Sequence, residues 1–357
     1  LWLISWQSVK AAVIDDLYEA KIAVDNQSQQ TQNSAFSLAF RQVLIKVRGN
    51  NDLLTDQKIK SAVVNATRFV RSYSYDKQGA QLFLVISFDP QRVENIIRSA
   101  GFPVWDKRRP DSIIWLAIKP SVNSVRQIVM PTEFSELYQQ LNKRAAQRGI
   151  ILMVPLWDLA DIQSLGVYDI WGGFSTQISQ ASYRYAVPSV LSARIYLTDS
   201  QFSDDAVISS GRNVEISSLW TADWTMIEGG SLLAGQVQGD NPLIIAENLV
   251  NALADQLSLK YAIDFSQIER TDNKIQVVVN NIDTLTYYIQ ALNALENLSV
   301  VNHATLVMQQ GPRATFELDL LGDVDDLSNA LSLDNKIRPV VDDFGQPVAG
   351  LEFFWVK

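Results

Sequence analysis

Apolar residues recur along this chain with two periods, and the changes of period mark out its elements. Val190, Leu191, Ala193, Ile195 and Leu197 form an almost continuous apolar run. Such a run predicts a strand buried near the centre of a sheet. The stretch from Trp171 onward predicts a helix leading into it. The rest of the chain is organised around residues 171–197: a βαβ unit precedes them, and a Trp-rich hairpin and a long helix follow.

Residues 17–24 alternate as a strand, and 25–32 read as a polar turn. Phe36, Ala39, Phe40, Val43, Leu44 and Val47 then fall on one helical face, with Ser34 as a cap. Gly49 follows Lys46 and Arg48, as a helix C-terminus prefers. Ile59, Ala62, Val63 and Ala66 predict a second helix. Residues 69–75 and 81–88 predict two strands about Gly79. Asp89-Pro90 opens a helix with Val93, Ile96, Ile97 and Ala100 inward. The segment DKRRPD at 106–111 reads as a solvated linker, since three cations flanked by two Asp make little field for docking.

Beyond it, 113–118 is a strand, 133–148 a helix capped by Thr132 and ended by Gly149, and 150–154 a strand. Strand, helix and strand with short connections predict a right-handed crossover and a largely parallel sheet. Lys143, Arg144 and Arg148 suit the negative end of that helix. Strands are expected at 206–217, 219–227 and 231–237, with a turn at Gly229-Gly230. Asn241-Pro242 starts a helix with Ile245, Leu249, Ala252, Leu253 and Leu257 inward. The last third reads strand 275–279, helix 284–296 (Leu285, Tyr288, Ile289, Leu292 and Leu295 inward), hairpin 299–307 and 313–320, helix 323–331, and a strand at 337–341 extended by a hairpin to 351–356. That is the β-α-β-β-α-β pattern.

The predicted fold class is therefore a multidomain α+β and α/β chain. An N-terminal α+β domain spans 13–105, a central mixed α/β sheet 111–263, and a ferredoxin-like βαββαβ unit 268–357. Composition narrows the function. Of 357 residues, 47% are hydrophobic and 19% charged, which suits folded cores. A net charge of −9 argues against nucleic acid as a partner. With no Cys and one His, thiolate sites are excluded and a catalytic zinc is not expected. No cofactor or metal is anticipated. Residues 1–12 read as the remnant of a secretory signal peptide, with Val9 and Ala11 at the −3 and −1 positions of a cleavage site. No run reaches the roughly 18 apolar residues of a membrane span.

Candidate chemistry is sparse. Asp158 and Asp161 lie just beyond a strand end, where open α/β sheets bind ligands. One could act as general base or hold a hard cation. No partner His, Lys or third carboxylate is near in sequence, and the simpler reading has them cap and charge the first turn of a helix at 158–165. Gly172-Gly173 could approach a phosphate but lacks a phosphate-loop pattern, so room for a tight helix start explains it. Trp157, Trp171, Trp220 and Trp224 cluster in sequence. Such rings either pack a core or form a platform for sugars or a protein. Trp157, Trp220 and Trp224 are the candidate binding residues, Trp220 and Trp224 sharing one strand face. His303 is expected to be packed within its strand, and no G-x-S-x-G occurs. Asp323, Asp325 and Asp326 lack the EF-hand spacing and charge a helix start.

Several stretches carry a family resemblance: LYEAKIAV with AFRQVLIKVRGN, ILMVPLWDLAD, ASYRYAVPSVLSARIY, WTADW and ADQLSLKYAI. Through them the chain resembles the gammaproteobacterial envelope family known as domain of unknown function two-thousand-sixty-six, over roughly residues 17–263 and more loosely in the last third. The resemblance implies an exported, periplasmic protein of Gram-negative bacteria, and no catalytic residues. The central domain is also similar in topology to the α/β domain of the Tol translocation protein's amino-terminal part and of curli-secretion lipoproteins. No lipobox is possible without Cys. The reading that follows is a non-catalytic envelope interaction or assembly module, contacting a protein partner or the cell wall. The alternatives are a carboxylate-dependent hydrolase using Asp158 and Asp161, or a glycan-binding module using Trp220 and Trp224.

Overall fold

The structure is a computed structural model, and it describes residues 11–121, 123–198, 219–264, 274–334, 336–341 and 350–356. Of the leader expected at 1–12, residues 1–10 lie outside the described residues, as does the strand expected at 206–217, while Ala11 and Ala12 belong to a strand. Among the described residues, three sheets and ten α-helices make it a mixed α+β protein.

Strand β1 is Ala11–Val13 and β2 Glu19–Val24. Helix α1, Gln29–Arg48, starts well before the Ser34 that the apolar stripe suggested. Ser28 is its cap: its backbone is extended and its side chain accepts from the Thr31 N–H. The first turns are polar because they are exposed, and Gln29 bonds Gln32 and Asn33 along them. Helix α2 is Gln57–Val64, capped by Asp56. Strands β3 (Val70–Gln78) and β4 (Gln81–Phe88) and helix α3 (Pro90–Ser99) follow, the last capped by Asp89 as anticipated. The antiparallel sheet runs β2-β4-β3, and the buried face of α1 lies in its core, with Phe40 stacked on Phe69 at 4.5 Å.

The segment 106–111 is not a solvated linker. It enters strand β5, Arg108–Lys119, and Arg109 is fully buried. Its guanidinium lies 3.9 Å over the Trp105 ring. It donates to the carbonyls of Lys46 (2.6 Å), Asp106 (2.9 Å) and Trp105 (3.1 Å). The physical reason is the end of α1, whose last carbonyls have no partner within the helix. Gly49 N–H bonds Ile45, Arg109 takes Lys46, and Trp105 N–H takes Val47.

From β5 onward the central sheet comprises β5, β6 (Gln127–Ile128), β7 (Ile151–Met153), β8 (Ser189–Thr198), β9 (Leu219–Glu228) and β10 (Ser231–Gly239). From that strand its order is β5-β8-β9-β10, with β6 and β7 also paired to β5. Strand β5 is parallel to β7 and β8, whereas β8, β9 and β10 are antiparallel, so the sheet is mixed. Strand β8, the organising strand, lies between β5 and β9 as its apolar run requires. The helices are α4 (Ser135–Arg148), α5 (Leu159–Ser164), α6 (Val167–Gly172), α7 (Ser175–Ser182) and α8 (Pro242–Tyr261). Thr132 does not cap α4; Phe134 holds that position without a side-chain bond. Arg144 and Arg148 do more than suit a helix dipole. They reach Asn251 and Asp255 of α8, and Gln140 bonds Glu247. Steps of four on both helices make this a polar ladder between two helices running the same way.

The last part contains β11 (Lys274–Asn280), α9 (Leu285–Glu296), β12 (Val301–Gln310), β13 (Arg313–Leu320), α10 (Val324–Ser332), β14 (Ile337–Pro339) and β15 (Glu352–Trp355). The sheet order is β12-β13-β11-β15-β14. The predicted last strand, β14, does not lie beside β11. Strand β15 takes that place, parallel to β11, and β14 pairs outside it. Leu285 and Ile289 of α9 are exposed rather than inward, because the buried stripe runs through Ala291 and Leu295.

Chain contacts divide the described residues into two compact units. Residues 110–256 form one; 11–109 together with 257–356 form the other. Within the second unit an antiparallel bridge joins Val104 and Ile263, each N–H bonding the other's carbonyl at 3.0 and 2.9 Å.

Gly49 is the residue this arrangement spares least. It has φ +78°, and a Cβ there would meet Ser258 Cβ at 2.3 Å and the Trp105 ring at 2.6 Å. Gly49→Ala should cost more than about 2 kcal/mol, backbone strain and overpacking together. Gly101→Ala, at φ +82° with open space, should cost only about 1 kcal/mol. Urea unfolding midpoints compare the two.

Candidate functional site

Asp158 and Asp161 do come together, through one arginine. Asp158 caps α5: its Oδ1 accepts from the Ala160 and Asp161 N–H groups, both at 3.1 Å. Arg184 bonds both its oxygens, at 2.6 and 2.7 Å. The same guanidinium reaches Asp161 Oδ1 at 3.0 Å. Asp161 is wholly buried, and its Oδ2 accepts from the Tyr185 hydroxyl (2.5 Å) and the Trp157 N–H (2.9 Å). Trp157 has φ +51°, a strained conformation for a residue with a side chain, and this bond holds it there. Its indole consequently meets Trp115 edge-on at 5.1 Å, beside Tyr185.

The electrostatics agree with an anchoring role. Arg184 and the backbone N–H groups hold the Asp158 carboxyl well below the usual carboxylate range. Burial, then the bond to Asp161, pushes the Tyr185 phenol up to about 12. A general acid or base needs a proton to exchange near neutrality. Here one carboxylate caps a helix and the other fixes a loop, so the geometry offers no support to two-carboxylate hydrolysis.

The tryptophans separate. Register pairs Trp115 with Ser192 and Ser192 with Thr225 on one face of the central sheet, and Ala193 with Trp224 on the other. Trp157 therefore belongs to the Trp115 face. Trp224 is buried over Gly235, where a Cβ would come within 2.5 Å of its ring, and Trp220 is half-buried. His303 is not packed: it is exposed on β12, with Nδ1 3.2 Å from Glu296.

A groove of about 460 Å³ lies where α6 ends against β8, β9 and β10. Arg194, Asp223 and Gln236 stand side by side across the three strands. Arg194 Nε and Tyr196 OH donate to Asp223 Oδ2 at 2.9 and 3.1 Å, and Gln236 Nε2 to Oδ1 at 2.7 Å. Burial opposes the Asp223 charge, but these three donors outweigh it and lower its pKa. Trp171 forms one wall, with the Arg126 guanidinium 4.7 Å above its ring. Sequence reasoning missed this trio. Its signal was a single charge inside each of two apolar strands, Arg194 and Asp223.

Residues 11–106 match the family model described as Domain of unknown function (DUF8605), and residues 274–347 match DUF2066. The latter is the family that the motifs resembled, although the match falls in the last third rather than over 17–263. No curated protein matches the chain.

The carboxylate cluster sets a pH dependence. Asp158's depressed pKa stabilises the fold above the unfolded value of about 3.9 and fades as pH falls through the folded value. Tyr185's raised pKa contributes below the unfolded value of about 10 and is lost as pH rises through about 12. Melting temperature should fall less steeply below pH ~4 in Arg184→Ala than in the parent. A difference ultraviolet titration against Tyr185→Phe should show a phenol ionising near about 12.

Proposed function

We propose that the protein is a non-catalytic interaction module of the bacterial envelope, exported to the periplasm, and that it binds a protein partner by strand addition. One observation carries the reading: the outer edge of the central sheet. Strand β10 ends the strand order, and no other described strand pairs with its outer side. Its sequence, SLLAGQVQG, has nine residues, no charge and no Pro. Natural edge strands are usually blunted by Lys, Pro or bulges, and one left long and uncharged is a template for another chain. Leu232 and Leu233, on opposite faces, are 58% and 46% exposed, so an added strand would find an apolar pair to pack on.

The envelope location rests on the family resemblance and the apolar start of the chain. The likeness of the central unit to the Tol amino-terminal domain, and of the last part to a ferredoxin-like unit, is consistent with an assembly role, both being folds of varied function.

Photo-crosslinking in intact cells tests this. A photoreactive side chain at position 232 or 233 should give discrete protein adducts, with none from position 64, an exposed valine on α2. Leu232→Lys with Leu233→Lys should weaken capture of that partner by about tenfold or more. Equal labelling at all three positions would defeat the reading, and cell fractionation tests the compartment independently.

A further inference from the structure

We infer that the groove between α6 and strands β8 to β10 binds a neutral saccharide, a ligand class beyond the protein contact proposed above. The argument begins with charge. The charged side chains lining the groove are Arg194 and Asp223, and they pair with each other at 2.9 Å. The Arg194 guanidinium also donates to the Trp171 carbonyl at 3.0 Å. An anion or a cation entering here would have to compete with a pair already satisfied from several sides. The charges that line the groove are therefore balanced within it, and the cation beside its wall, Arg126, lies over the Trp171 ring.

What it has to spare is neutral hydrogen bonding. Ser192 is 2% exposed and lines the groove, and its hydroxyl has no hydrogen-bond partner among the described residues. A buried hydroxyl left unpaired is costly, and a ligand hydroxyl would relieve that cost. Thr225 lies directly opposite Ser192 on β9. The Gln236 amide is spent on Asp223, which leaves its carbonyl oxygen as an acceptor. Trp171 adds a flat aromatic wall. Small residues keep the space open: Ala234 lines it, and a Cβ on Gly173 would point toward Thr225 Oγ1 at 3.8 Å. A volume of about 460 Å³ is typical of small-molecule sites. A ring, a set of neutral donors and acceptors, and internally balanced charge together describe a polyhydroxylated ring.

The test uses the full chain and saturation-transfer NMR with cellobiose, chitobiose and maltose, each up to roughly 10 mM, and glucose 6-phosphate as the charged arm. At least one neutral disaccharide should bind, and Gln236→Ala and Ala234→Trp, both at exposed positions, should each weaken it about tenfold or more. Ser192→Ala should weaken binding while raising the melting temperature, since it removes the unpaired hydroxyl. Trp220→Ala, on the other sheet face, should leave binding unchanged. Circular dichroism verifies that each variant is folded. Binding of glucose 6-phosphate alone, no transfer to any sugar, or binding that survives both Gln236→Ala and Ala234→Trp would overturn the assignment.

Discussion

The structure depends on how the end of helix α1 is closed. A twenty-residue helix leaves a row of carbonyls that need donors, and here they are supplied from residues 49, 105 and 109. Those donors lie next to the point where the chain leaves its first unit. Arg109 fills the space with a side chain that is always charged, stacked on Trp105 and donating to the carbonyls of Lys46, Trp105 and Asp106. A charge buried against carbonyl dipoles is tolerable because the helix end is already negative. The same segment carries Val104, whose bridge to Ile263 ties the outgoing chain to the returning one. A unit built from two separate stretches of sequence needs such a clasp, since its halves are separated by some 150 residues of another unit.

This constraint explains why the linker reading of DKRRPD fails. Composition sees three cations and a proline and concludes solvent. The helix end sees the donors it lacks. Periodicity did well wherever one element's own residues decide its state: α3 behind Asp89, the strand at 313–320, α10 behind Asp323. It did poorly where neighbours decide. The first turns of α1 look like a turn because their side chains are polar and stay largely exposed. Leu285 and Ile289 look like core because apolarity alone cannot say which stripe of α9 meets the sheet. The place beside β11 goes to a strand some fifteen residues later than expected, a choice of pairing that no local pattern encodes.

The candidate site shows the same division. That Asp158 caps a helix was legible, because an Asx cap needs only the residues after it. That Asp161 is buried and holds Trp157 in a left-handed turn was not legible, because Arg184 and Tyr185 arrive from more than twenty residues away. The Arg194, Asp223 and Gln236 row is invisible until the register of three strands is fixed. A one-residue slip of β9 would send Asp223 to the Trp224 face. Both charges did announce themselves, as single breaks in apolar strands.

Strand β10 presents different atoms in different directions, and this lets one short element serve two ends. Its free backbone groups point outward in the plane of the sheet, whereas Ala234 and Gln236 stand perpendicular to it. A strand added at the edge would lengthen the sheet without entering the groove. It would, however, order β10, and Gln236 is held to Asp223 only as firmly as β10 is held to β9. Any ligand in the groove would meet a better-fixed Gln236 after the edge is occupied, and by linkage the edge would bind its partner better once the groove is filled. The strand with no charge of its own is thus the element through which two binding events would feel each other.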